Sequence, residues 1–557
     1  MAKATVEGFQ GNMGKYNVAA CVKHYAAYGA AEAGRDYNTV ELGERTLREY
    51  YLPSYKAAVD AGVKTLMTSF NVVNGVPLTG NKWLVNDILR KEWGFDGAII
   101  TDYCAVREMV VHGYADCDKQ AAEMAINTGI DIEMVSTTFP QYLEELIKEK
   151  KVTKKQIDKA VLRVLKLKEE LGLFDNPYRA TSVEEANEII LCKEHRDLAR
   201  YAAEQSAVLL KNNNILPLSE DVSSVAVIGP LGNTGKIHGS WFCGGRAEDT
   251  VSVFDGIKDI IGDRVKYAQG CDIALDSTDY SKIDEAVELA KNSEAVVLCI
   301  GEHQDDSGES NCKTKLEIPY VQYKLLFEIL KVNKNVAVVL FTGRPLALER
   351  LEANAPAILN MWMPGTEGGS AAANLLFGRS VPSGKITMSF PRTVGQCPIY
   401  YNHYNTGRPK PYDVGRAVYT SAYIDSPNSP LYPFGYGLSY TTFEYSDHKI
   451  SKEWMKEGET ITASVKVKNT GKYKAKETVQ LYVRDLYGST VRPVKELKGF
   501  EKIELDVGEE KIVTFEITEE TLAFYGADMK RKAEKGEFRV FIGTNSACKP
   551  FATFMLV

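Results

Sequence analysis

Carboxyl side chains at the ends of apolar runs are the first residues in this sequence whose placement suggests chemistry. The segment GAIITDY, residues 97–103, is an apolar run that ends at Asp102. A carboxylate at the end of a buried strand costs free energy unless it is hydrogen-bonded or functional. Asp102 is therefore a candidate catalytic residue, although an aspartate there could instead cap the segment that follows.

A second acidic segment follows the apolar run AVVLCIG. The polar stretch IGEHQDDSGESNCKTKLEIP contains Glu302, Asp305, Asp306, Glu309 and Glu317. Long polar loops at strand ends often carry function. Residue types and spacing do not choose among these acids, and most of them are expected to be solvated.

Lys23 and His24 end a third apolar run, VAACVKHY. Both side chains can donate hydrogen bonds to hydroxyl groups of a ligand, but a solvated lysine and a hydrogen-bonded histidine are the ordinary expectation. The seven histidines are isolated from one another and the ten cysteines form no CxxC pair, so no zinc site is predicted. Cys21 and Cys299 lie in apolar runs and are predicted to be buried free thiols, which favours a reducing compartment.

The elements that position these residues form a repeating pattern near the start of the chain. Apolar strands alternate with amphipathic helices, and the strands are predicted at 18–25, 63–70, 97–103 and 130–134. Strands that are apolar on both faces and separated by helices indicate a parallel sheet. The polar residues lie at the carboxyl ends of the strands, where a β/α barrel carries its chemistry. Four strands are half of the eight that a closed barrel needs.

The rest of the chain predicts two further folds. A second α/β region has apolar strands at 224–229, 295–301, 335–341 and 357–363, which indicates another mostly parallel sheet. From residue 456 onwards, short runs of alternating apolar and polar residues predict a β-sandwich. The predicted boundaries are 1–175 for the barrel part, 176–190 for a linker, 191–395 for the second α/β domain, 396–455 for a connecting segment and 456–557 for the sandwich.

Composition excludes several classes of protein. Of the 557 residues 44% are hydrophobic and 25% are charged, as in ordinary globular domains. A net charge of -7 argues against a nucleic-acid surface, and no apolar stretch is long enough to be a membrane span. The glycine-rich segments GSWFCGGRAED and PGTEGGSAAANLLFG lack the spacing of a phosphate-binding loop.

Several longer segments together resemble glycoside hydrolase family three, and in particular its bacterial periplasmic-type β-glucosidases. The segments occur in the family's order and include VKHYAAYGAAEAGRDYNTVELGERTLREYYLPSYKAAVDAG, MTSFNVVNGVPLT, LRKEWGFDGAIITDY, QSAVLLKNNNILPL, PSGKITMSFPRTVGQCPIYYNHYNTGRP, LYPFGYGLSYTTFEYS and RPVKELKGFEK. The resemblance implies a (β/α)8 barrel, here present in part, then an α/β sandwich and a fibronectin type III-like domain.

The resemblance also implies roles for single residues. Asp102 matches the family's nucleophile, and Glu309, in SGESNCK, matches the acid/base. Four residues match or replace family positions that bind the sugar, namely Lys23, His24, Met67 and Tyr103.

The sequence departs from the family pattern at a few of these positions. Asn311, Cys312 and Lys313 replace the usual small residues and arginine after the acid/base, Tyr103 replaces a frequent tryptophan, and Phe70 a frequent tyrosine.

The implied activity is retaining hydrolysis of terminal β-D-glucosyl residues by double displacement, which needs no metal and no organic cofactor. A β-xylosidase or mixed activity is an alternative, and an inactive carbohydrate-binding remnant is another. Tyr28 stands where the family's N-acetylglucosaminidases have a histidine, which disfavours that activity. The implied partner is a β-glucoside or oligosaccharide, with no nucleic acid and no membrane.

The resemblance places the start of the chain partway through the barrel. We therefore expect the polypeptide alone to be a weak catalyst. Activity should then require the N-terminal half, supplied by a longer natural chain or a complementing N-terminal polypeptide, or else a rearranged assembly such as a homodimer that covers the open edges. The compartment stays open, because the family resemblance favours export whereas the free cysteines and the lack of an apolar leader favour the cytoplasm.

Overall fold

The computed structural model describes residues 1–178, 181–410 and 418–557. The chain divides into two compact units, Met1–Ile190 and Leu191–Val557. Two residues of the predicted linker, at 179–180, and seven of the predicted connecting segment, at 411–417, lie outside the described residues.

The first unit alternates strands and helices. Its strands are β1 Cys21–Tyr25, β2 Thr65–Thr68, β3 Val72–Val73, β4 Val76–Pro77, β5 Ala98–Tyr103 and β6 Ile132–Met134. Its α-helices are α1 Ala2–Gln10, α2 Glu44–Thr46, α3 Pro53–Asp60, α4 Ala105–Val111, α5 Asp118–Thr128, α6 Thr138–Lys148, α7 Lys154–Glu170 and α8 Val183–Ile189. The short 3-10 helices of this unit are Tyr28–Ala30, Glu32–Gly34 and Leu78–Gly80. The π-helical segments are Leu47–Tyr51 and Trp83–Glu92.

One parallel sheet organises this unit, with the strand order β1-β2-β5-β6. Ile99 in β5 is fully buried, as expected for a strand covered on both faces. The Met134 amide donates to Thr101 Oγ1 at 2.9 Å and ties β6 to the end of β5. The four strands predicted from the apolar runs are all present, each within three residues of its predicted limits.

One prediction for this unit is wrong, namely the burial of Cys21. Cys21 is exposed, because it begins the edge strand β1, which pairs only with β2 within the described residues. The predicted linker contains the helix α8. Its first turn is a capping box in which Ser182 Oγ accepts from the Glu185 amide and Glu185 accepts from the Ser182 amide. The S-x-x-E spacing is a helix start that composition alone does not reveal.

The α/β part of the second unit has six strands and six helices. The strands are β7 Val208–Asn212, β8 Val225–Ile228, β9 Val265–Ala268, β10 Ala295–Gly301, β11 Val336–Phe341 and β12 Ala357–Trp362. The helices are α9 Lys193–Ser206, α10 Val253–Ile261, α11 Ile283–Lys291, α12 Tyr320–Val332, α13 Glu349–Asn354 and α14 Gly368–Leu376, with turns at Ala247–Asp249, Gly262–Arg264, Gln304–Asp306 and Val394–Gln396.

These six strands form one sheet in the order β7-β12-β11-β10-β8-β9. All neighbours are parallel except β7, which runs antiparallel to β12. Every residue of β10 and β11 is buried, so both faces of the sheet are covered. The four central strands were predicted from the sequence, but the two edge strands β7 and β9 were missed; each is short and contains a lysine.

The last part of the second unit is a β-sandwich. Its strands are β13 Phe443–Ile450, β14 Trp454–Met455, β15 Ile461–Asn469, β16 Ala475–Asp485, β17 Glu496–Leu505, β18 Glu510–Ile517, β19 Phe524–Tyr525, β20 Arg531–Lys532, β21 Gly536–Gly543 and β22 Ala552–Leu556, with the short helix α15 Glu519–Leu522. The two main sheets have the orders β13-β15-β18 and β14-β22-β21-β16-β17. Strict alternation along β15, with every second residue buried, packs one face of its sheet into the core.

The sandwich begins earlier than predicted. β13 pairs antiparallel with β15, although it lies in the predicted connecting segment before residue 456. The run FEYSDHKI was not predicted to be a strand, because its residues are all half-buried or exposed and several of them are charged. Its sequence therefore does not read as an apolar strand.

A buried charged cluster holds the loop between β16 and β17. Arg492 Nε lies 3.5 Å from Asp485 Oδ2, and its Nη2 donates to Glu496 Oε2 at 2.9 Å. The Arg492 guanidinium also stacks 3.7 Å from the ring centroid of Phe524. Burial raises the pKa of Asp485 to about 6; Arg492 opposes this rise, while the charges of Glu496 and Glu534 add to it.

Among the helices described, none combines the length and apolar character that crossing a bilayer demands.

Candidate active site

Asp102 is a buried carboxylate of the first unit whose surroundings depart from an ordinary structural role. It is 8% exposed at the end of β5. Its Oδ1 accepts one hydrogen bond, from the Tyr103 amide at 2.8 Å. Its Oδ2 is buried, accepts no hydrogen bond within the described residues, and lies 3.5 Å from His24 Nε2. A buried carboxylate with so few partners is costly, which is typical of a functional group.

Asp131 shows what a structural carboxylate looks like on the same sheet. Its side chain is fully buried, and Oδ2 accepts from Arg90 Nη2 at 2.7 Å and from the Ile99 amide at 2.8 Å. Oδ1 accepts from Arg163 Nη1 at 2.7 Å. Both oxygens are engaged, so this carboxylate fastens helices to the sheet and is not available for attack on a substrate.

The predicted site residues of this unit lie on three neighbouring strands of the sheet, β1, β2 and β5. Lys23 and His24 lie on β1 and Met67 lies on β2, which pairs in register with β5. His24 and Met67 are partly buried, whereas Lys23 is exposed. Tyr103 follows Asp102 and is 59% exposed.

Two further groups lie near Asp102, and Glu108 in the first of them was not predicted from the sequence. Glu108 lies one turn into α4, and burial together with the charge of Asp102 raises its pKa. An aromatic cluster adjoins His24, whose ring centroid is 5.5 Å from that of Tyr28; Phe70 lies 6.4 Å from Tyr28 and 5.3 Å from Tyr37.

In the second unit, the sheet topology singles out one loop. The chain runs from β8 outward to β9 and then returns to β10 on the other side of β8. The point where the strand order reverses lies between β8 and β10, and open α/β sheets bind ligands at the carboxyl ends of such strands. The acidic loop that begins at Glu302 follows β10 at this point. This topological reason supports the site that the sequence suggested only by polarity.

Glu302, at the base of this loop, is the centre of an ion cluster. Its side chain is 1% exposed, and Oε1 lies 3.0 Å from Lys313 Nζ and 3.5 Å from Arg344 Nε. Oε2 accepts from Thr342 Oγ1 at 2.6 Å and from the Gly343 amide at 3.3 Å. Both oxygens are engaged, so Glu302 is a structural anchor.

Of the other acids of the loop, Asp306 also pairs with Lys313, at 3.1 Å, whereas Asp305, Glu309 and Glu317 are exposed. Glu309 follows Gly308, whose φ of +107° is in the region that favours glycine. A Cβ on Gly308 would lie 2.9 Å from Ser240 Oγ and 3.2 Å from Trp241 Nε1. The segment before Glu309 therefore packs against a second loop, whose Trp241 is 65% exposed and offers a face on which a sugar ring can stack.

No group of three or more histidine, cysteine, aspartate or glutamate side chains within the described residues could hold a metal ion. The chemistry available from these residues is that of carboxylates and their hydrogen-bonding neighbours. All ten cysteines are free thiols.

Comparison with known proteins places both units. Residues 1–167 match the glycosyl hydrolase family 3 N-terminal domain, residues 207–440 its C-terminal domain, and residues 477–546 a fibronectin type III-like domain. A periplasmic β-glucosidase of Salmonella typhimurium is 42% identical over 100% of this chain and 76% of its own length. A β-xylosidase of Formosa agariphila is 39% identical over 100% of this chain and 78% of its own.

Solved structures agree with these matches. A β-glucosidase of Listeria innocua in complex with isofagomine has a TM-score of 0.95 and 42% identity, over 100% of this chain and 78% of its own. The same enzyme in complex with glucose has a TM-score of 0.94 and 42% identity, over 100% of this chain and 76% of its own. These likenesses confirm the predicted fold class, with two α/β domains followed by a fibronectin type III-like sandwich.

Proposed function

Because the chain belongs to glycosyl hydrolase family 3, we infer that it is a retaining β-glucosidase in which Asp102 is the nucleophile and Glu309 the acid/base. The observation that carries the first assignment is the buried Asp102 Oδ2, which accepts no hydrogen bond within the described residues. The similar enzymes of Salmonella typhimurium and Listeria innocua support the activity, and the complex of the latter with glucose supports a carbohydrate substrate.

In the first step, an oxygen of Asp102 attacks the anomeric carbon while the bond from that carbon to the aglycone oxygen breaks. The protonated carboxyl of Glu309 gives its proton to the departing oxygen, so the aglycone leaves as an alcohol. In the second step, the Glu309 carboxylate takes a proton from water, whose oxygen attacks the anomeric carbon and releases Asp102. Two inversions retain the configuration.

Lys23, His24, Met67 and Tyr103 are proposed to bind the sugar. His24 Nε2, 3.5 Å from Asp102 Oδ2, is placed to orient the nucleophile or a neighbouring hydroxyl. Lys23 is exposed and can donate three hydrogen bonds to hydroxyl groups. Met67 supplies apolar contact from the adjacent strand.

Trapping with 2,4-dinitrophenyl 2-deoxy-2-fluoro-β-glucoside tests the nucleophile. The fluorine slows the second step, so the glycosyl group stays on the residue that attacked. Peptide mapping by mass spectrometry should find the label on Asp102. A label on Asp131 would refute the assignment. Glu309→Ala should lose far more activity on poor leaving groups than on good ones, and azide should restore part of it.

A β-xylosidase is the second candidate, favoured by the similar enzyme of Formosa agariphila. Steady-state kinetics on 4-nitrophenyl β-glucoside and β-xyloside separate the two, and we expect the higher kcat/KM on the glucoside. A homodimer or a complementing polypeptide stays a prediction, for which light scattering of the purified chain is the direct measurement.

A further inference from the structure

We propose that Lys313 is a positioning residue for Glu309: by pairing with Glu302 and Asp306 it closes the loop after β10 and fixes the turn that presents the acid/base carboxyl. This inference rests on the proposed function, which gives Glu309 its role. The role of Lys313 in the fold can nevertheless be measured separately from catalysis.

Lys313 is buried in a way that is unusual for a lysine on a polar loop. Its side chain is 9% exposed, and its Nζ lies 3.0 Å from Glu302 Oε1 and 3.1 Å from Asp306 Oδ2. Lysine is rarely buried unless its charge is paired. Lys315, two residues further along the same loop, is exposed. The burial therefore belongs to this position and not to the loop in general.

The glutamate that Lys313 meets is fixed to the sheet. Its amide donates to Phe341 O at 2.9 Å, and its carboxylate accepts from the side chain of Thr342 and the amide of Gly343, at the end of β11. Arg344 approaches the same carboxylate and also donates through Nη2 to the carbonyl of Asp306. Glu302 is thus a rigid anchor to which Lys313 attaches the far end of the loop.

The result is a closed ring of chain with Glu309 inside it. The ring runs along the backbone from Glu302 to Lys313 and returns through their ion pair. Asp306 attaches the middle of the ring to the same ammonium group. Two acidic groups face two basic ones, Lys313 and Arg344, so the cluster is balanced in charge. Without Lys313, Arg344 would still approach the Glu302 carboxylate, whereas the Asp306 carboxylate would lose its ion pair with the ammonium group and the ring would open.

The position of the Glu309 carboxyl matters because a general acid acts only within hydrogen-bond reach of the atom it protonates. A misplacement of about 1 Å can cost about 10²-fold in rate. An exposed glutamate on an open loop would sample many positions, whereas the ring restricts it. Lys313 acts through Glu309 and does not itself touch the substrate.

The test compares leaving groups. Lys313→Met should lower kcat/KM on phenyl β-glucoside by about 10- to 100-fold, and on 2,4-dinitrophenyl β-glucoside by less than about 3-fold, since that leaving group needs little acid help. Lys313→Arg keeps the charge and should restore most of the phenyl glucoside activity. Lys315→Met is the matched control and should behave like the unmodified chain. Equal losses on both substrates, or no loss, would overturn the proposal.

A double-mutant comparison shows whether Lys313 acts through Glu309. In a Glu309→Ala background, Lys313→Met should add no further loss on phenyl β-glucoside, because the group it positions is gone. Additive losses would refute a positioning role. If Glu309→Ala shows no leaving-group selectivity, the proposed function itself fails. If Glu309→Ala shows leaving-group selectivity and Lys313→Met does not, only the proposed positioning role of Lys313 fails.

Hydrogen exchange gives a readout independent of turnover. Lys313→Met, or the milder Asp306→Asn should the first variant not fold, is expected to speed amide exchange in residues 303–316 and leave β10 and β11 protected. Lys315→Met should change neither region. Unchanged exchange in the loop of the folded Lys313→Met or Asp306→Asn variant would show that the ion pairs do not hold it.

Discussion

Two aspartates on the same sheet should respond in opposite ways to the same substitution. Asp102→Asn removes the proposed nucleophile, whereas Asp131→Asn removes a carboxylate whose two oxygens accept from Arg90, Arg163 and the Ile99 amide. We expect the first variant to lose activity and keep its stability. The second should lose stability and keep its activity in whatever fraction stays folded.

The contacts give the magnitudes. At Asp131, an amide nitrogen must face at least one guanidinium or backbone donor, and the two partly buried cations Arg90 and Arg163 lose their carboxylate. Breaking a buried pair from one side costs about 3–5 kcal/mol, which corresponds to a fall in Tm of about 10 °C for a unit of this size. At Asp102, the amide keeps the acceptor for the Tyr103 amide and loses only a 3.5 Å approach to His24. Its free energy of unfolding should change by less than about 1 kcal/mol or increase, because a poorly paired buried charge is removed.

The assay measures both quantities on both variants. Differential scanning calorimetry gives Tm, and 2,4-dinitrophenyl β-glucoside gives turnover per folded molecule. Asp102→Asn should lose at least about 10³-fold in kcat, as loss of a nucleophile does in other covalent enzymes. The reasoning is wrong if Asp102→Asn lowers Tm as much as Asp131→Asn does, or if Asp131→Asn abolishes turnover at a temperature where it is fully folded.

Three further outcomes are expected. Gln322→Leu should lower the free energy of unfolding by about 2–4 kcal/mol, as measured by urea denaturation. The fully buried side-chain amide of Gln322 donates to the Gly301 carbonyl and accepts from the Gly301 amide, and leucine can do neither. A change below about 1 kcal/mol would contradict this. Asp485→Asn should stabilise the chain more at pH 7.5 than at pH 4.5. Because the pKa of Asp485 is raised to about 6 in the folded chain, the folded chain binds more protons than the unfolded chain between about pH 4 and 6, and the unmodified protein loses stability as pH rises through that window. A Tm difference between the two proteins that does not depend on pH would contradict this. Iodoacetamide under native conditions, with peptide mapping, should spare Cys271 and Cys299, in which burial raises the pKa of the thiol. It should label first the exposed thiols of Cys117, Cys243 and Cys312; labelling of Cys271 or Cys299 before these three would contradict the reasoning.

Sequence reasoning succeeded where one physical signal dominates. The run AVVLCIG gives β10 with its limits correct because all seven residues are buried and apolar. The run FEYSDHKI, in β13, gave no signal, since a strand whose residues are half-buried or exposed carries charges along much of its length. Cys21 was misplaced for a related reason: an apolar neighbourhood does not say whether a strand lies at the edge of the sheet.

The candidate site divides in the same way. Asp102 could be found because an acid that ends an apolar run is locally unusual. The different roles of Glu302 and Glu309 could not be predicted from the sequence, because two partners of the Glu302 carboxylate come from the end of β11, about forty residues later in the chain. Only the fold shows that Glu302 is held by four groups and that Lys313 is one of them.

The contrast between the two proposed catalytic carboxyls suits the two steps of a retaining mechanism. The nucleophile must remain ionised and must strike one atom, and Asp102 is buried at the end of a strand with one oxygen fixed by a backbone amide. The acid/base must give up a proton and regain one in each cycle, so contact with water is an advantage, and Glu309 is exposed. Exposure would normally mean mobility. The ring closed by Lys313 resolves that conflict, because it fixes the chain on both sides of Glu309 and leaves the carboxyl open to solvent.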